Sequence, residues 1–231
     1  MKAIAIILAR GGSKGIKNKN LINFCGKSLI SWTISQCKNC DKIENVYVSS
    51  DSIKILDFSK SLGVKTIKRP PEISEDTSTS ESGWLHALDH IKANYGYLPE
   101  LIVAPQVTSP IRESNDFSNA LEIMTSKNFD SLLSVNEIND YFIWNEIKNK
   151  FSSENYDFKN RRRRQQISKK YHENGSFYIF KPSILYRFNN RLGGKIGIFV
   201  MENYKSFQID ELDDVKLCEV VMKGYHLNEN L

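Results

Sequence analysis

Cysteine is scarce in this chain, with four residues among 231. Cys37 and Cys40 form a Cys-x-x-Cys pair, but no second pair or histidine cluster completes a zinc site. The pair is also typical of redox sites, but we interpret the cysteines as structural thiols, and no disulfide framework is expected. No apolar run approaches the length of a membrane span, and the first predicted strand lacks the flanks of a secretory signal. These absences predict a cytoplasmic protein.

Three common functional motifs are also missing. The Walker A spacing of a phosphate-binding loop does not occur, because Leu21 stands where a glycine would precede Gly26-Lys27-Ser28. The Gly-x-Gly-x-x-Gly pattern of dinucleotide-binding proteins is absent, and so is the Gly-x-Ser-x-Gly turn of covalent hydrolases. Any phosphate site in this chain must therefore use another scheme.

The overall composition is that of an ordinary globular protein. Apolar residues make up 40% of the chain and charged residues 26%, and the formal net charge is +5. This excess of positive charge weakly favours acidic ligands and does not by itself indicate nucleic acid. The length of 231 residues suits one large α/β domain, without repeats or a low-complexity linker.

Apolar periodicity predicts alternating strands and helices, and hence a Rossmann-like, mostly parallel sheet with helices on both faces. Strands are predicted at residues 3–9, 45–50, 64–68, 101–105, 130–135, 175–181 and 195–201. Helices are predicted at residues 28–38, 52–62, 81–94, 115–126 and 210–223. Residues 136–173, called the middle segment below, break the alternation. We expect one domain over residues 1–231, with the middle segment as an excursion from its sheet.

The most informative feature is the loop after the first strand, called the opening loop below. Residues 10–15 read Arg-Gly-Gly-Ser-Lys-Gly, and Lys17, Lys19 and Asn20 follow. Glycines allow backbone N–H groups to turn towards one small volume, and four cationic side chains surround it. In an α/β sheet, ligands bind beyond the carboxyl ends of the strands, where this loop begins. The loop therefore predicts a polyphosphate site.

The opening loop resembles the start of the sialic-acid-activating cytidylyltransferases, the CMP-acylneuraminate synthetases and their bacterial nonulosonate relatives. Residues 8–16 read Leu-Ala-Arg-Gly-Gly-Ser-Lys-Gly-Ile, followed by Lys19 and Asn20, as in the signature of that family. The resemblance implies a reaction that joins CTP to a nine-carbon keto-sugar acid and releases pyrophosphate. It implies catalytic roles for Arg10, Lys14, Lys19 and Asp210. It implies nucleotide binding by Ala9, Arg10, Gly11, Gly12, Ser13, Lys14 and Asn20.

Two further loops resemble the same family. Residues 69–80 are similar to its cytosine-binding loop, which implies that Arg69, Ser78 and Ser80 read the base. A polar loop with a helix cap at Thr79 or Ser80 is the alternative interpretation. Residues 104–112 are similar to the family's Leu-Gln-Pro-Thr-Ser-Pro-Leu-Arg loop, which implies that Gln106 reaches the acceptor sugar. The alternative there is a proline-bounded turn after a strand.

The acceptor side of the resemblance runs through the middle segment. Arg164 matches the arginine that clamps the sugar carboxylate, and Tyr178 lies in a stretch similar to Asn-Gly-Ala-Ile-Tyr. Trp144 stands where enzymes acting on N-acetylneuraminate carry a lysine, which hints at a less polar acceptor of the legionaminic or pseudaminic type. A core aromatic is the alternative for Trp144. The family also implies that this segment forms a homodimer and reaches towards the partner's active site.

The metal site of the family is altered in this chain. Its Asp-Ile-Asp pattern would hold a divalent ion such as Mg²⁺, and here Gln208 replaces the first aspartate before Asp210. The resemblance thus implies a metal site of Asp210 and Gln208 with one negative charge fewer.

Two rival functions remain open from the sequence. One is a deoxy-octulosonate cytidylyltransferase, which shares the chemistry. The other is a non-catalytic nucleotide- or RNA-binding protein, which the arginine run at residues 161–164 would serve. We expect CTP and a nonulosonic acid as ligands, and neither nucleic acid nor a membrane as partner.

Overall fold

The computed structural model describes residues 3–138, 142–166 and 168–229 of the chain. The strands are β1 Ala3–Leu8, β2 Asn23–Phe24, β3 Lys27–Ser28, β4 Ile43–Ser50, β5 Lys65–Lys68, β6 Leu101–Pro105, β7 Ser131–Ile138, β8 Trp144–Ile147, β9 Lys150–Ser153, β10 Lys170–Phe180 and β11 Ile196–Met201. The α-helices are α1 Leu29–Lys38, α2 Ile53–Ser61, α3 Ser80–Tyr95, α4 Ser114–Ser126, α5 Pro182–Phe188 and α6 Leu212–Gly224.

A seven-stranded sheet organises the chain in the order β11-β7-β10-β6-β1-β4-β5. All of its neighbouring strands run parallel except β10, which is antiparallel to both β6 and β7. This architecture confirms the predicted mostly parallel α/β sheet. Because β1, β4 and β6 are parallel neighbours, the loops that follow them meet at one edge.

The alternation of side chains along β1 shows how the sheet buries both of its faces. Ala5 belongs to an apolar cluster with Trp32 of α1, whereas Ile6 belongs to a separate cluster with Trp84 of α3. Successive residues of a strand point to opposite faces, so helices must cover both sides. The predicted placement of helices on both faces is therefore confirmed.

The cysteines agree with the structural interpretation. All four are free thiols, and Cys37, Cys40 and Cys218 are buried. Burial raises the pKa of Cys37 to about 12, so this thiol is held in its unreactive protonated form.

Several features differ from the sequence prediction, among them the short antiparallel pair of β2 and β3. Helix α5 was not predicted, and β10 begins at Lys170 rather than at residue 175. The middle segment contains an antiparallel hairpin of β8 and β9, in which Trp144 pairs with Ser153. Every residue of β8 is exposed, so no buried face was available to produce a strand pattern in the sequence.

Among the described residues, no helix combines the length and the apolar character needed to span a membrane.

Candidate active site

A cavity of about 630 Å³ lies at the carboxyl ends of β1 and β6, where Leu8 and Pro105 form part of its wall. Its remaining walls come from the opening loop, the segment between β5 and α3, the loop after β6, and the turn before α6. The predicted site residues that line it are Arg10, Ser13, Lys14, Lys19, Asn20, Arg69, Ser78, Ser80, Gln106 and Asp210. Residues separated by up to two hundred positions are thus brought to one place.

The cations of the opening loop bind an acidic residue of the segment between β5 and α3, residues 69–79, called the facing loop below. Arg10 Nη1 lies 2.6 Å from Asp76 Oδ1, and Lys14 Nζ lies 2.9 Å from Asp76 Oδ2. Hydrogen bonds from Lys14 and then from Arg10 hold the pKa of Asp76 below its usual value. The carboxylate of Asp76 therefore links the opening loop to the facing loop.

The glycines of the opening loop differ in what surrounds them. A Cβ on Gly15 would lie 2.4 Å from the carbonyl oxygen of Asp210, and one on Gly11 would lie 2.8 Å from Cβ of Ser52. A Cβ on Gly12 would meet no atom of the described residues within 4 Å. Close packing within the chain therefore requires glycine at residues 11 and 15. Residue 12 has room for a side chain, and it does not line the cavity.

Asp51, which follows β4, anchors the opening loop. Its Oδ1 accepts a hydrogen bond of 2.9 Å from the N–H of Gly11 and lies 4.0 Å from Arg69 Nη2. The amide of Gly11 is thus already bonded within the chain, and Gly11 does not line the cavity. Asp51 was not among the predicted site residues, although its position directly after the strand predicted at residues 45–50 was an available signal.

Lys19 and Asn20 fix the far end of the loop. Lys19 Nζ donates to the carbonyl of Ile209 at 3.0 Å and lies 2.9 Å from Asp210 Oδ1. The side-chain amide of Asn20 donates to the carbonyl of Arg10 at 2.9 Å. Asn20 therefore supports the loop backbone, and Lys19 joins the loop to the segment before α6.

The facing loop places Arg69 deep in the site. This side chain is 5% exposed, and its Nε donates to Ser74 Oγ at 2.9 Å. Burial lowers the pKa of Arg69, an effect that nearby Asp51 opposes. Thr79 caps α3 through a hydrogen bond from Ser82 N at 3.2 Å, which confirms the cap predicted for Thr79 or Ser80.

Arg112, which the sequence analysis did not single out, holds the loop that carries Gln106. Its guanidinium is fully buried, and Nη1 donates to the carbonyls of Gln106, Ser109 and Ser176 at 3.0, 2.8 and 2.9 Å. Burial lowers the pKa of Arg112 to about 10. An arginine at the end of a proline-bounded loop was the signal, since five donors can gather several carbonyls.

The two predicted metal ligands differ in their position relative to the cavity. Asp210 lines the cavity, and its Oδ2 has no hydrogen-bond partner among the described residues. The side-chain amide of Gln208 donates to the carbonyl of Asn174 at 2.7 Å, and Gln208 does not line the cavity. The described residues contain no group of three or more His, Cys, Asp or Glu side chains placed to hold a metal. One carboxylate fits Mg²⁺ only where phosphate oxygens complete its coordination.

Of the predicted acceptor residues other than Gln106, Tyr178 and Trp144 do not line the cavity. Tyr178 is 4% exposed and donates to Glu173 Oε1 at 2.5 Å. Trp144 is 46% exposed and contacts Phe158 in the middle segment, so it is not the core aromatic of the alternative interpretation. Arg164 begins a short 3₁₀ turn, and its side chain lies outside the described parts of the structure. Ala9 is buried at the end of β1 and does not line the cavity either.

The chain matches known proteins over almost its whole length. The N-acylneuraminate cytidylyltransferase of Oncorhynchus mykiss is 36% identical over 229 residues, which cover 96% of this chain and 51% of that protein. The pseudaminic acid cytidylyltransferase of Campylobacter jejuni is 26% identical and is covered over 98% of both chains. This chain thus spans about half the length of the first relative and nearly all of the second.

A solved structure and a family model agree with these relatives. CMP:2-keto-3-deoxy-manno-octonic acid synthetase, solved in complex with CTP, has a TM-score of 0.70 at 13% identity, covering 97% of this chain and 100% of that one. At this identity, the likeness supports the fold. The model of the family described as Cytidylyltransferase matches residues 4–229. The chain therefore belongs to the cytidylyltransferase family.

Proposed function

We propose that this protein transfers CMP from CTP to a nonulosonic acid of the sialic, legionaminic or pseudaminic type, with release of pyrophosphate. The single observation that carries this proposal is the cavity at the sheet edge, where Arg10, Lys14, Lys19 and Arg69 converge. The names of the two relatives support the choice of cytidine nucleotide and of sugar acid.

The opening loop supplies the charge that the reaction requires. Arg10 and Lys14 bind the outer phosphates and stabilise the negative charge that develops on the departing pyrophosphate. Ser13 adds a neutral hydrogen bond, and Lys19 reaches the phosphates from the other end of the loop. The anomeric hydroxyl of the sugar attacks the α-phosphorus in line with the leaving group, so a P–O bond forms as the bond to pyrophosphate breaks.

The facing loop reads the base in this proposal. Arg69 is held in place by Ser74 and Asp51, so its remaining N–H groups can be aimed at the cytosine edge. Ser78 and Ser80 line the same wall of the cavity and offer hydroxyl and backbone groups. Donors and acceptors held in fixed positions can match the hydrogen-bonding edge of cytosine.

Mg²⁺ is part of the proposal, and Asp210 is the residue that would hold it. Gln208, the other predicted ligand, does not line the cavity and would have to turn its amide away from Asn174 to join the ion. The ion would neutralise phosphate charge and orient the triphosphate. Lys19 lies beside Asp210 and keeps that carboxylate at the phosphate end of the cavity. Positioning and charge neutralisation then do most of the catalysis, since the sequence offers no convincing general base.

The acceptor would bind at Gln106, with Tyr178, Trp144 and Arg164 as further candidates. We propose that the protein is a homodimer in which the middle segment supplies part of this site to its partner. The support is an exposed apolar surface on that segment: Ile147 is 63% exposed, Phe151 is 69% and Phe158 is 52%. The free thiols support a reducing, cytoplasmic location.

The proposal is tested by incubating the protein with CTP, Mg²⁺ and a panel of nonulosonic acids together with deoxy-octulosonate, and by measuring pyrophosphate. We expect release with at least one nonulosonic acid and a loss of about hundredfold or more in Arg10→Ala. Arg187→Ala, an exposed arginine of α5, is the matched control and should keep the wild-type rate.

Each rival function predicts a different result. Release with deoxy-octulosonate alone would assign the protein to that reaction. No release with any acceptor, together with salt-sensitive RNA binding, would contradict the proposal in favour of a non-catalytic binding protein.

A further inference from the structure

The carboxylate of Asp76 occupies the place where the opening loop is most cationic. It accepts from Arg10 through Oδ1 and from Lys14 through Oδ2, at 2.6 and 2.9 Å. Both carboxylate oxygens are therefore paired with the two cations that a polyphosphate would bind. Asp76 comes from the facing loop, 66 positions after Arg10 in the chain.

Asp76 is free to leave this position. Its side chain is 47% exposed, and among the described residues Arg10 and Lys14 are its only hydrogen-bond or ion-pair partners. Within the described parts of the chain, the loop cations alone hold this carboxylate, in contrast to Asp51, which accepts from a backbone N–H. Exposed ion pairs of this kind are weak and exchange readily.

Phosphates bound to Arg10 and Lys14 would lie beside the Asp76 carboxylate. Like charges at this distance repel, so the carboxylate and a polyphosphate compete for the same two cations. A nucleotide monophosphate whose phosphate does not reach these cations meets no such competition. Asp76 therefore lowers the affinity for the polyphosphate tail of a ligand and does not affect the binding of its base.

We propose that Asp76 is an internal counter-anion of the opening loop, which a polyphosphate displaces on binding and which returns to Arg10 and Lys14 as pyrophosphate leaves. Asp76 then acts as a specificity-determining residue for the phosphate tail. It keeps the loop neutralised between turnovers and prevents the tight retention of pyrophosphate. The inference rests on the proposed function only in naming CTP and pyrophosphate as the natural ligands.

The test is calorimetric titration of the wild type and of Asp76→Asn with inorganic tripolyphosphate, at low ionic strength and without metal. We expect about fivefold tighter binding in the variant, because two exposed ion pairs no longer have to be broken. Binding of CMP should change by less than about twofold, since its phosphate does not use these cations.

Glu75→Gln is the matched control, because Glu75 lines the same cavity and has no ion pair with Arg10 or Lys14. It removes the same charge and should change tripolyphosphate affinity by less than about twofold. Unchanged or weaker binding in Asp76→Asn, an equal gain in Glu75→Gln, or no measurable binding in any variant would overturn the inference. Asp76→Ala should repeat the gain and serves if the asparagine variant misfolds.

The titration needs no turnover, so its result is separable from that of the proposed function. Tighter tripolyphosphate binding without any CMP transfer would support the counter-anion and contradict the transferase reaction. Normal CMP transfer with no gain in tripolyphosphate affinity for Asp76→Asn would support the transferase reaction and contradict the counter-anion.

Discussion

Single buried side chains decide where the catalytic loops stand, and Arg112 is the plainest case. Its guanidinium gathers three carbonyls and also donates to Thr33 Oγ1 at 2.8 Å. Thr33 lies on α1, so this one residue fastens the Gln106 loop to the helix layer. The residue type at position 112 was visible in the sequence, but its partners were not, because they come from three separate segments.

Arg112→Met should destabilise the protein by roughly 3 kcal/mol, since several buried acceptors would lose their donor. The loop of Gln106 would move with it, so the rate of pyrophosphate release should fall as well. Urea unfolding and the release assay measure the two effects. The exposed control Arg187→Met should stay within about 0.5 kcal/mol of the wild type, and an equally small effect in Arg112→Met would contradict this role.

Cys37 should make the free energy of unfolding decrease as the pH rises above 9. Burial raises the pKa of its thiol from 9.0 to about 12. The unfolded chain therefore loses this proton above pH 9 while the folded protein keeps it. The contribution to stability is complete below pH 9 and is lost as the pH rises towards 12.

Urea unfolding of the wild type and of Cys37→Ala between about pH 8 and about pH 10.5 tests this sign. The variant should be less stable at the lower pH, because a buried side chain is shortened. It should lose less stability with rising pH, by up to about 1.4 kcal/mol per pH unit. Cys218, whose pKa is also raised to about 12, is present in both proteins and does not affect the difference. Parallel pH profiles would show that Cys37 ionises equally in both states.

At the scale of elements, the opening loop was predictable in kind but not in its internal bonds. A buried strand followed by glycines and cations indicated a phosphate loop, and Arg10, Ser13 and Lys14 do line the cavity. The sequence could not show that Asp51 and Asp76 bond this loop, because both approach it from other parts of the chain. Such pairings depend on strand order, which local patterns do not contain.

Gly15→Ala and Gly12→Ala separate packing from ligand access within this loop. The new methyl group at residue 15 would overlap the carbonyl of Asp210 and push apart the two segments that Lys19 joins. We expect a loss of roughly 1–3 kcal/mol in stability and a fall in turnover. A methyl group at residue 12 meets open space, so the unfolding midpoint of Gly12→Ala should match the wild type. If Gly12 binds the nucleotide, as the family resemblance implies, the CTP affinity of this variant should fall. Thermal unfolding and CTP titration distinguish the two, and equal stabilities would contradict the assigned contact.

At the scale of the whole molecule, apolar periodicity was sufficient for the sheet and insufficient for the middle segment. The central strands are buried on both faces and therefore carried a clear signal. The β8–β9 hairpin turns through Lys148 and Asn149, whose φ values of 52° and 59° are of the sign that a type I′ turn requires. The usual Asn-Gly signal of that turn is missing, and neither strand has a buried face to alternate with an exposed one.

The proposed homodimer can be tested through the middle segment by complementation. If Arg164 acts in the partner's site, Arg164→Ala and Arg10→Ala are each inactive, because each lacks one component of every site. Co-expression of the two variants produces hybrid dimers, in which one site combines the intact Arg10 of one subunit with the intact Arg164 of the other. With random pairing, about half of the dimers are hybrids and each hybrid has one complete site, so the total activity of the mixture should be roughly a quarter of that of the wild type.

Differently tagged variants allow the hybrid dimer to be purified and its mass measured before the assay. Either variant co-expressed with itself is the control and should remain inactive. If Arg164 instead serves its own subunit, every site in the hybrid still lacks a component and no activity returns. A hybrid that forms but does not release pyrophosphate would therefore contradict the sharing of sites, and a monomeric mass for both variants would contradict the dimer itself.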